Sequence, residues 1–218
     1  MVACAAAGII IGVVTKTGVG LKLASTLLDL SGGMILPSMF LTMITAIILG
    51  MGVPTTANYV ITSTIAAPAL IQMGVPILAA HMFVFYFGII ADVTPPVALA
   101  AYAGSGIAGG NALKTGINAS KLAIAAFIIP YMFVLNPGLL MIYGVTGGLV
   151  LALLTAIIGM VALSSSLIGY LAAPLKALER VILFLSGLMM IKPGLVTDIA
   201  GVAIFMAILI LQLRRKNS

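Results

Sequence analysis

Two proline-marked interruptions, Gly50-Met51-Gly52-Val53-Pro54-Thr55-Thr56 and Asp92-Val93-Thr94-Pro95-Pro96, sit inside stretches otherwise apolar enough to cross a bilayer. Lipid tolerates broken backbone only where it is buried in protein or lines a cavity, because each unpaired N–H or C=O there costs several kcal/mol. Two such breaks in one short chain are therefore a strong pointer to the binding site of a membrane carrier.

The surrounding composition agrees. Hydrophobic residues make up 63% of the chain and charged residues 6%, against roughly 45–50% and about 25% in soluble domains. With a mean hydropathy of +1.34, no soluble core would bury this much apolar surface, so the solvent is expected to be lipid. The net charge of +6 comes from a few loop and terminal residues. No basic run lies inside the chain, which argues against nucleic acid as a partner and makes the charge a topology signal. The single Cys4 excludes an internal disulfide and a cysteine metal cluster. No charged region precedes apolar Val2–Val14, so a removable signal peptide is not expected. The abrupt start suggests a chain that begins partway through a larger membrane domain.

The sequence predicts an all-α, polytopic membrane protein. Residues 1–33 read as a truncated helix, Val2–Val14, followed by an amphipathic arm from Lys16 to Asp29 suited to the membrane interface. Residues 34–73 read as a re-entrant hairpin whose two uncharged arms meet at Gly50–Thr56. Residues 77–110 read as one helix broken at Asp92–Pro96. A polar loop, Asn111–Lys121, then leads to a span over 122–143 containing Pro130. These segments, 34–143, form the expected transport region. Residues 144–218 form a tail with spans at Gly144–Tyr170, Ala177–Ile191 and Leu195–Leu213, the second short enough to be re-entrant instead, and a Lys192-Pro193-Gly194 turn.

Placing Arg214-Arg215-Lys216 in the cytoplasm and alternating backwards puts Lys176, Arg180, Lys114 and Lys121 inside as well. Only Lys16, Lys22 and Lys192 fall outside, so seven of the ten positive charges obey the positive-inside rule. The hairpin then enters from the outer face.

A proline inside a helix removes one N–H and frees the carbonyl four residues earlier. Pro54 would free Gly50, and Pro95 and Pro96 would free Ala91 and Asp92. Those carbonyls and the hydroxyls of Thr55, Thr56 and Thr94 are hard oxygen ligands. Half-helix C-termini suit Na⁺ and half-helix N-termini suit a substrate carboxylate. The bland alternative is that the threonines cap a half-helix or bond back to a turn. Asp92, a carboxylate within an intramembrane break, has three readings: cation ligand, proton carrier, or cap of a helix beginning at Thr94. Asn58 either donates to a substrate carboxylate or satisfies the hairpin backbone. His81 reads as a satisfied interfacial histidine and the Phe83–Phe87 cluster as packing. Ser164-Ser165-Ser166 reads as back-bonded helix, and Ala100–Gly109 as a small-residue face for close helix contact. One histidine and four acids offer no nucleophile with a base and no transition-metal spacing, so an enzyme is not expected.

The runs Leu49–Tyr59, Ala79–Gly88 and Asp92–Tyr102, continued by Thr115–Leu122 and Ala126–Pro137, together resemble the fused large permease subunit of the tripartite ATP-independent periplasmic (TRAP) transporters. The resemblance is to the type that works with TAXI-class binding proteins. It covers residues 1–143, and 144–218 look like the less characteristic tail of the same proteins. It implies an elevator-type carrier of two inverted repeats in a bacterial or archaeal inner membrane, importing organic acids with Na⁺ as coupling ion and no other cofactor. The acids would be delivered by a periplasmic substrate-binding protein. Met34–Met73 would be the second hairpin and Ile77–Gly110 the second broken helix. The cation site carries over to Gly52, Thr55, Thr94, Pro96 and Val97, several through backbone carbonyls, while Thr56 and Asn58 would face the substrate. The first repeat and the small-subunit portion are missing from this chain, so they are expected as partners. Alternatives are another ion- or proton-coupled carrier with re-entrant hairpins, with Asp92 as proton carrier, or a truncated remnant or assembly subunit.

Overall fold

The computed structural model describes residues 2–142, 144, 147–191 and 194–216. The expected span end at Tyr143 and most of the Lys192-Pro193-Gly194 turn lie outside them. The chain is helical and divides into two compact units, Met1–Ala123 and Ile124–Ser218. The division falls inside the expected 34–143 region rather than at its ends.

In the first unit, α1 (Val2–Thr17) and α2 (Val19–Leu30) meet at Gly18, whose φ of +67° allows the chain to turn. Ala24 and Leu27 of α2 are buried against Ala69. The hairpin follows as α3 (Ile35–Gly50), then α4 (Thr55–Ile65) and α5 (Ala67–Gln72). Its second arm is stepped at Ala66, because Pro68 cannot donate to the carbonyl of Thr64 and the ladder breaks there.

The faces of α3 show which solvent this unit is built for. Leu36, Phe40, Ile44 and Ile48, four residues apart, are exposed, while Ser38, Thr42, Ala46 and Gly50 are buried. Large apolar side chains face out and small or polar ones face in. That order strands an apolar stripe in water but suits lipid, where helices associate through small and hydroxylated residues.

Helix α6 (Ile77–Ile90) packs on α3 and α4. Phe83 and Phe87 are fully buried in edge-to-face contact at 4.8 Å, in keeping with a packing role. After a 3-10 turn over Ala91–Val93, the chain is irregular until α7 (Leu99–Ala108). The helix break thus runs further than Asp92–Pro96, and α7 does not begin near Thr94. Most of α7 is exposed, and a Cβ at Gly104 or Gly106 would meet nothing within 4 Å. Of its small residues Ala101 and Ser105 are buried and α7 packs on the helix that follows it, so the expected small-residue face is used in part.

Residues 111–121 are not a loop. They form α8 (Ala112–Ala123), whose first turn is held by the Asn111 side-chain oxygen accepting the Lys114 N–H at 3.0 Å. The charged and amide residues Lys114, Asn118 and Lys121 lie on its exposed side, and Gly116 is buried.

The second unit begins with a 3-10 turn at Ile124–Phe127, α9 (Ile129–Leu135) and another 3-10 turn at Pro137–Leu140. The continuous span expected over 122–143 is therefore broken, at the two points where Pro130 and Pro137 remove helical donors. Three helices follow: α10 (Gly147–Ile168), α11 (Ala177–Ile191) and α12 (Leu195–Lys216). Gly148–Ile168 and Val196–Arg215 are long and apolar enough to cross a membrane. Glycines let these helices approach closely: a Cβ on Gly187 would lie 2.5 Å from Leu163 Cγ, and one on Gly201 would lie 2.5 Å from Met190 Cγ. Ser186 donates to the Gly201 carbonyl across the same contact at 2.7 Å.

The 169–176 connection is tied down by polar groups from two helices. Arg180 donates to the Ser166 and Leu167 carbonyls at the end of α10, both at 2.8 Å. Gln212, 1% exposed, accepts the N–H groups of Ala172 and Ala173 and donates to Glu179. Arg215 pairs with Glu179 at 3.2 Å and donates to the Pro174 carbonyl. Ser164 and Ser166 bond back to Met160 and Leu163, as expected of helix serines.

Candidate functional site

The hairpin tip and the helix break share one cavity of about 250 Å³, lined by Gly52, Val53 and Pro54 from the tip and by Asp92, Leu99 and Ala100 from the break. The lining residues fall next to helix ends: Gly52–Pro54 lie between α3 and α4, Asp92 follows α6, and Leu99 and Ala100 open α7. Helix ends of this kind leave last-turn carbonyls and first-turn N–H groups without intrahelical partners. The tip turns at Gly52, whose φ of +74° is costly for any residue with a Cβ.

Of the eight residues expected at the site, Gly52 and Asp92 line this cavity. Thr55 and Thr56 occupy the exposed first turn of α4. Thr94 and Val97 are half-buried and Pro96 is exposed, all in the irregular segment between Asp92 and Leu99. Thr94 Oγ1 donates to the Ile90 carbonyl at 2.7 Å, which uses its proton and leaves its lone pairs. The Pro96 carbonyl accepts from the Tyr102 hydroxyl at 3.0 Å. Asp92 caps nothing at α7, whose N-cap is Ala98 without a side-chain bond.

The carbonyls expected to be free are partly engaged. Gly50 O accepts from Val53 N at 3.4 Å and Ala91 O from Thr94 N at 3.3 Å. These are tight-turn bonds at the long end of the useful range, the usual way a helix end recovers some of its lost pairing.

Asn58 does not open onto the cavity. It is 1% exposed and neither Oδ1 nor Nδ2 has a hydrogen-bond partner. Its amide occupies the space between two glycines: a Cβ on Gly50 would lie 2.7 Å from Nδ2, and one on Gly88 would lie 2.8 Å from both amide atoms. An unpaired buried polar group of this kind costs about 1–3 kcal/mol. His81 pairs with the Tyr59 hydroxyl at 3.0 Å.

Three residues behind the cavity carry no role in the sequence reading. Gly88 makes room for Asn58. Ser120 of α8 donates to the Val93 carbonyl at 3.2 Å, and Gly116 lets α8 close on the break, its Cβ position lying 3.3 Å from Pro95 Cγ. A glycine one turn before Asp92 was a readable signal for the first. The other two required knowing that 112–123 is a helix.

As chemistry, the cavity lining offers one carboxylate, Asp92, among backbone and apolar side chains, and the hydroxyls of Thr55, Thr56 and Thr94 lie on the segments that flank it without lining it. A family model described as the tripartite ATP-independent periplasmic transporter DctM component matches residues 1–148. No curated protein and no solved structure matches the chain. With that match over most of its length, joined to lipid-facing helices and a hairpin tip set against a helix break, the chain belongs to the DctM family of tripartite ATP-independent periplasmic transporter components.

Proposed function

We propose that this chain is the carboxy-terminal part of a permease that imports organic acids delivered by a periplasmic binding protein, with Na⁺ as coupling ion. The observation that carries this reading is the cavity shared by Gly52–Pro54 and Asp92, Leu99 and Ala100. Na⁺ would be held between tip and break by Gly52, Thr55, Thr94, Pro96 and Val97, mainly through carbonyls, with the Thr94 hydroxyl offering a lone pair. The carboxylate of the solute would meet the N–H groups of the first turn of α4 and the Thr56 hydroxyl. Asn58 stands behind that turn and reaches the solute only if the tip shifts. Cation binding would order tip and break together, and the re-entrant hairpin with its broken helix would then slide as one elevator against a scaffold.

A second reading is favoured by one observation. Asp92 is the carboxylate that lines the cavity, which suits a proton carrier. Thermal unfolding of the purified chain separates the two. Na⁺ at tenfold over its dissociation constant stabilises by about 1.4 kcal/mol, a rise of about 3–5 °C for a chain of this size. The Na⁺ reading expects that rise with Na⁺ and not K⁺, kept in Asp92→Asn and lost in Thr94→Ala. A chain indifferent to Na⁺ but stabilised by Asp92→Asn favours the proton carrier.

A further inference from the structure

Two buried hairpin side chains hold polar atoms without a hydrogen-bond partner, the Thr42 hydroxyl and the Asn58 amide, and Asn58 is the one with two such atoms. Its surroundings are those of an apolar contact, between Gly50 and Gly88 and with almost no exposure, yet it carries an amide with both polar atoms unpaired. A leucine has nearly the same shape and would fill the space without the penalty, so packing alone does not account for an amide here. The glycines fix where it sits. Gly50 ends α3 two residues before the tip glycine, Gly52, and Gly88 lies one turn before Asp92. The amide therefore crosses from the hairpin to α6 directly behind the cavity.

With the tip as it stands, the amide is closely packed and unpaired. A lifted tip would draw it out of the glycine notch and open Oδ1 and Nδ2 to water, so the penalty of the packed state lowers the cost of lifting.

We infer that Asn58 is a weak catch that holds the tip back from full closure on α6, a positioning residue whose unpaired amide sets the balance between closed and open tip. This rests on the carrier reading for its purpose but not for its physics.

The test places a reporter cysteine at the tip, Val53→Cys in a Cys4→Ala background of the full chain, and follows its labelling by a membrane-impermeant maleimide in nanodiscs. In Na⁺-free buffer, Asn58→Ala removes the unpaired amide and slows labelling about fivefold, the order expected when one buried polar penalty leaves a two-state balance. Gly88→Ala pushes the amide out and speeds labelling. The double variant falls back toward the parent, because the new methyl fills the space the amide vacated. Asn58→Leu is read alongside, so that the failure of one variant to fold does not decide the matter.

Faster or unchanged labelling in Asn58→Ala and Asn58→Leu overturns the catch, since an amide that merely braces the hairpin loosens it when removed. The same assay with Na⁺ tests the carrier reading separately. Slower labelling of the parent in Na⁺ than in K⁺ supports the cation site whatever Asn58 does. Na⁺-insensitive labelling with the Asn58 effects intact defeats the cation site and leaves the catch standing.

Discussion

Ser120 Oγ donates to the carbonyl of Val93 at 3.2 Å while also bonding the Gly116 carbonyl one turn below at 3.0 Å. A helix outside the broken helix thus holds the break from behind. The backbone around Val93 has lost its helical pattern, and in lipid each such group needs a partner from elsewhere. Ser120→Ala leaves the Val93 carbonyl without this donor and is expected to cost about 1 kcal/mol. Thermal unfolding in detergent would register it as a fall of a few degrees, with Ser25→Ala, an exposed serine of α2, as the neutral control.

Close helix contact in the second unit depends on the absence of a side chain at Gly187. A Cβ there would lie 2.5 Å from Leu163 Cγ and 2.9 Å from the Gly159 carbonyl. Gly187→Val is expected to destabilise by about 1–3 kcal/mol, the range for overpacking a well-filled contact. Gly104→Ala meets nothing within 4 Å and removes a flexible residue from a helix, so it is expected to be neutral or to stabilise by up to about 1 kcal/mol. Denaturation of the two variants side by side checks both signs.

Gln212 holds the Ala172 and Ala173 N–H groups at 3.2 and 3.0 Å from a buried position. Gln212→Ala orphans both donors and takes a partner from Glu179. Hydrogen exchange is expected to quicken at Ala172 and Ala173 by at least tenfold, the rate equivalent of about 1.4 kcal/mol of lost protection. Arg180→Lys keeps the charge but not the two-pronged hold on the Ser166 and Leu167 carbonyls, and is expected to loosen the end of α10 in the same experiment.

The division between what the sequence made legible and what it concealed follows from physics. Pro54 and Pro95–Pro96 act locally, by removing donors, so the hairpin tip and the helix break were readable to within a few residues. Length and apolar composition likewise marked α10, α11 and α12. Helix α8 was misread because Lys114, Asn118 and Lys121 serve an exposed face, and polarity alone does not distinguish an exposed helix from a loop. The 122–143 span was misread for the opposite reason: its composition suits a span, but Pro130 and Pro137 break it into short turns. The roles of Gly88, Gly116 and Ser120 are tertiary, set by which helix lies behind the break, and no local pattern encodes that. Asn58 stands between the two cases. Its position was singled out, but its burial between Gly50 and Gly88 depends on α6 closing over the hairpin.

The account turns on whether tip and break together hold a cation, and direct binding of radiolabelled Na⁺ to the purified chain in excess K⁺ measures this. Saturable binding that is lost in Thr94→Ala and kept in Thr26→Ala, an exposed threonine of α2, is the predicted result. Binding that fails to saturate, or that survives Thr94→Ala unchanged, would contradict a cation site between Gly52 and Thr94.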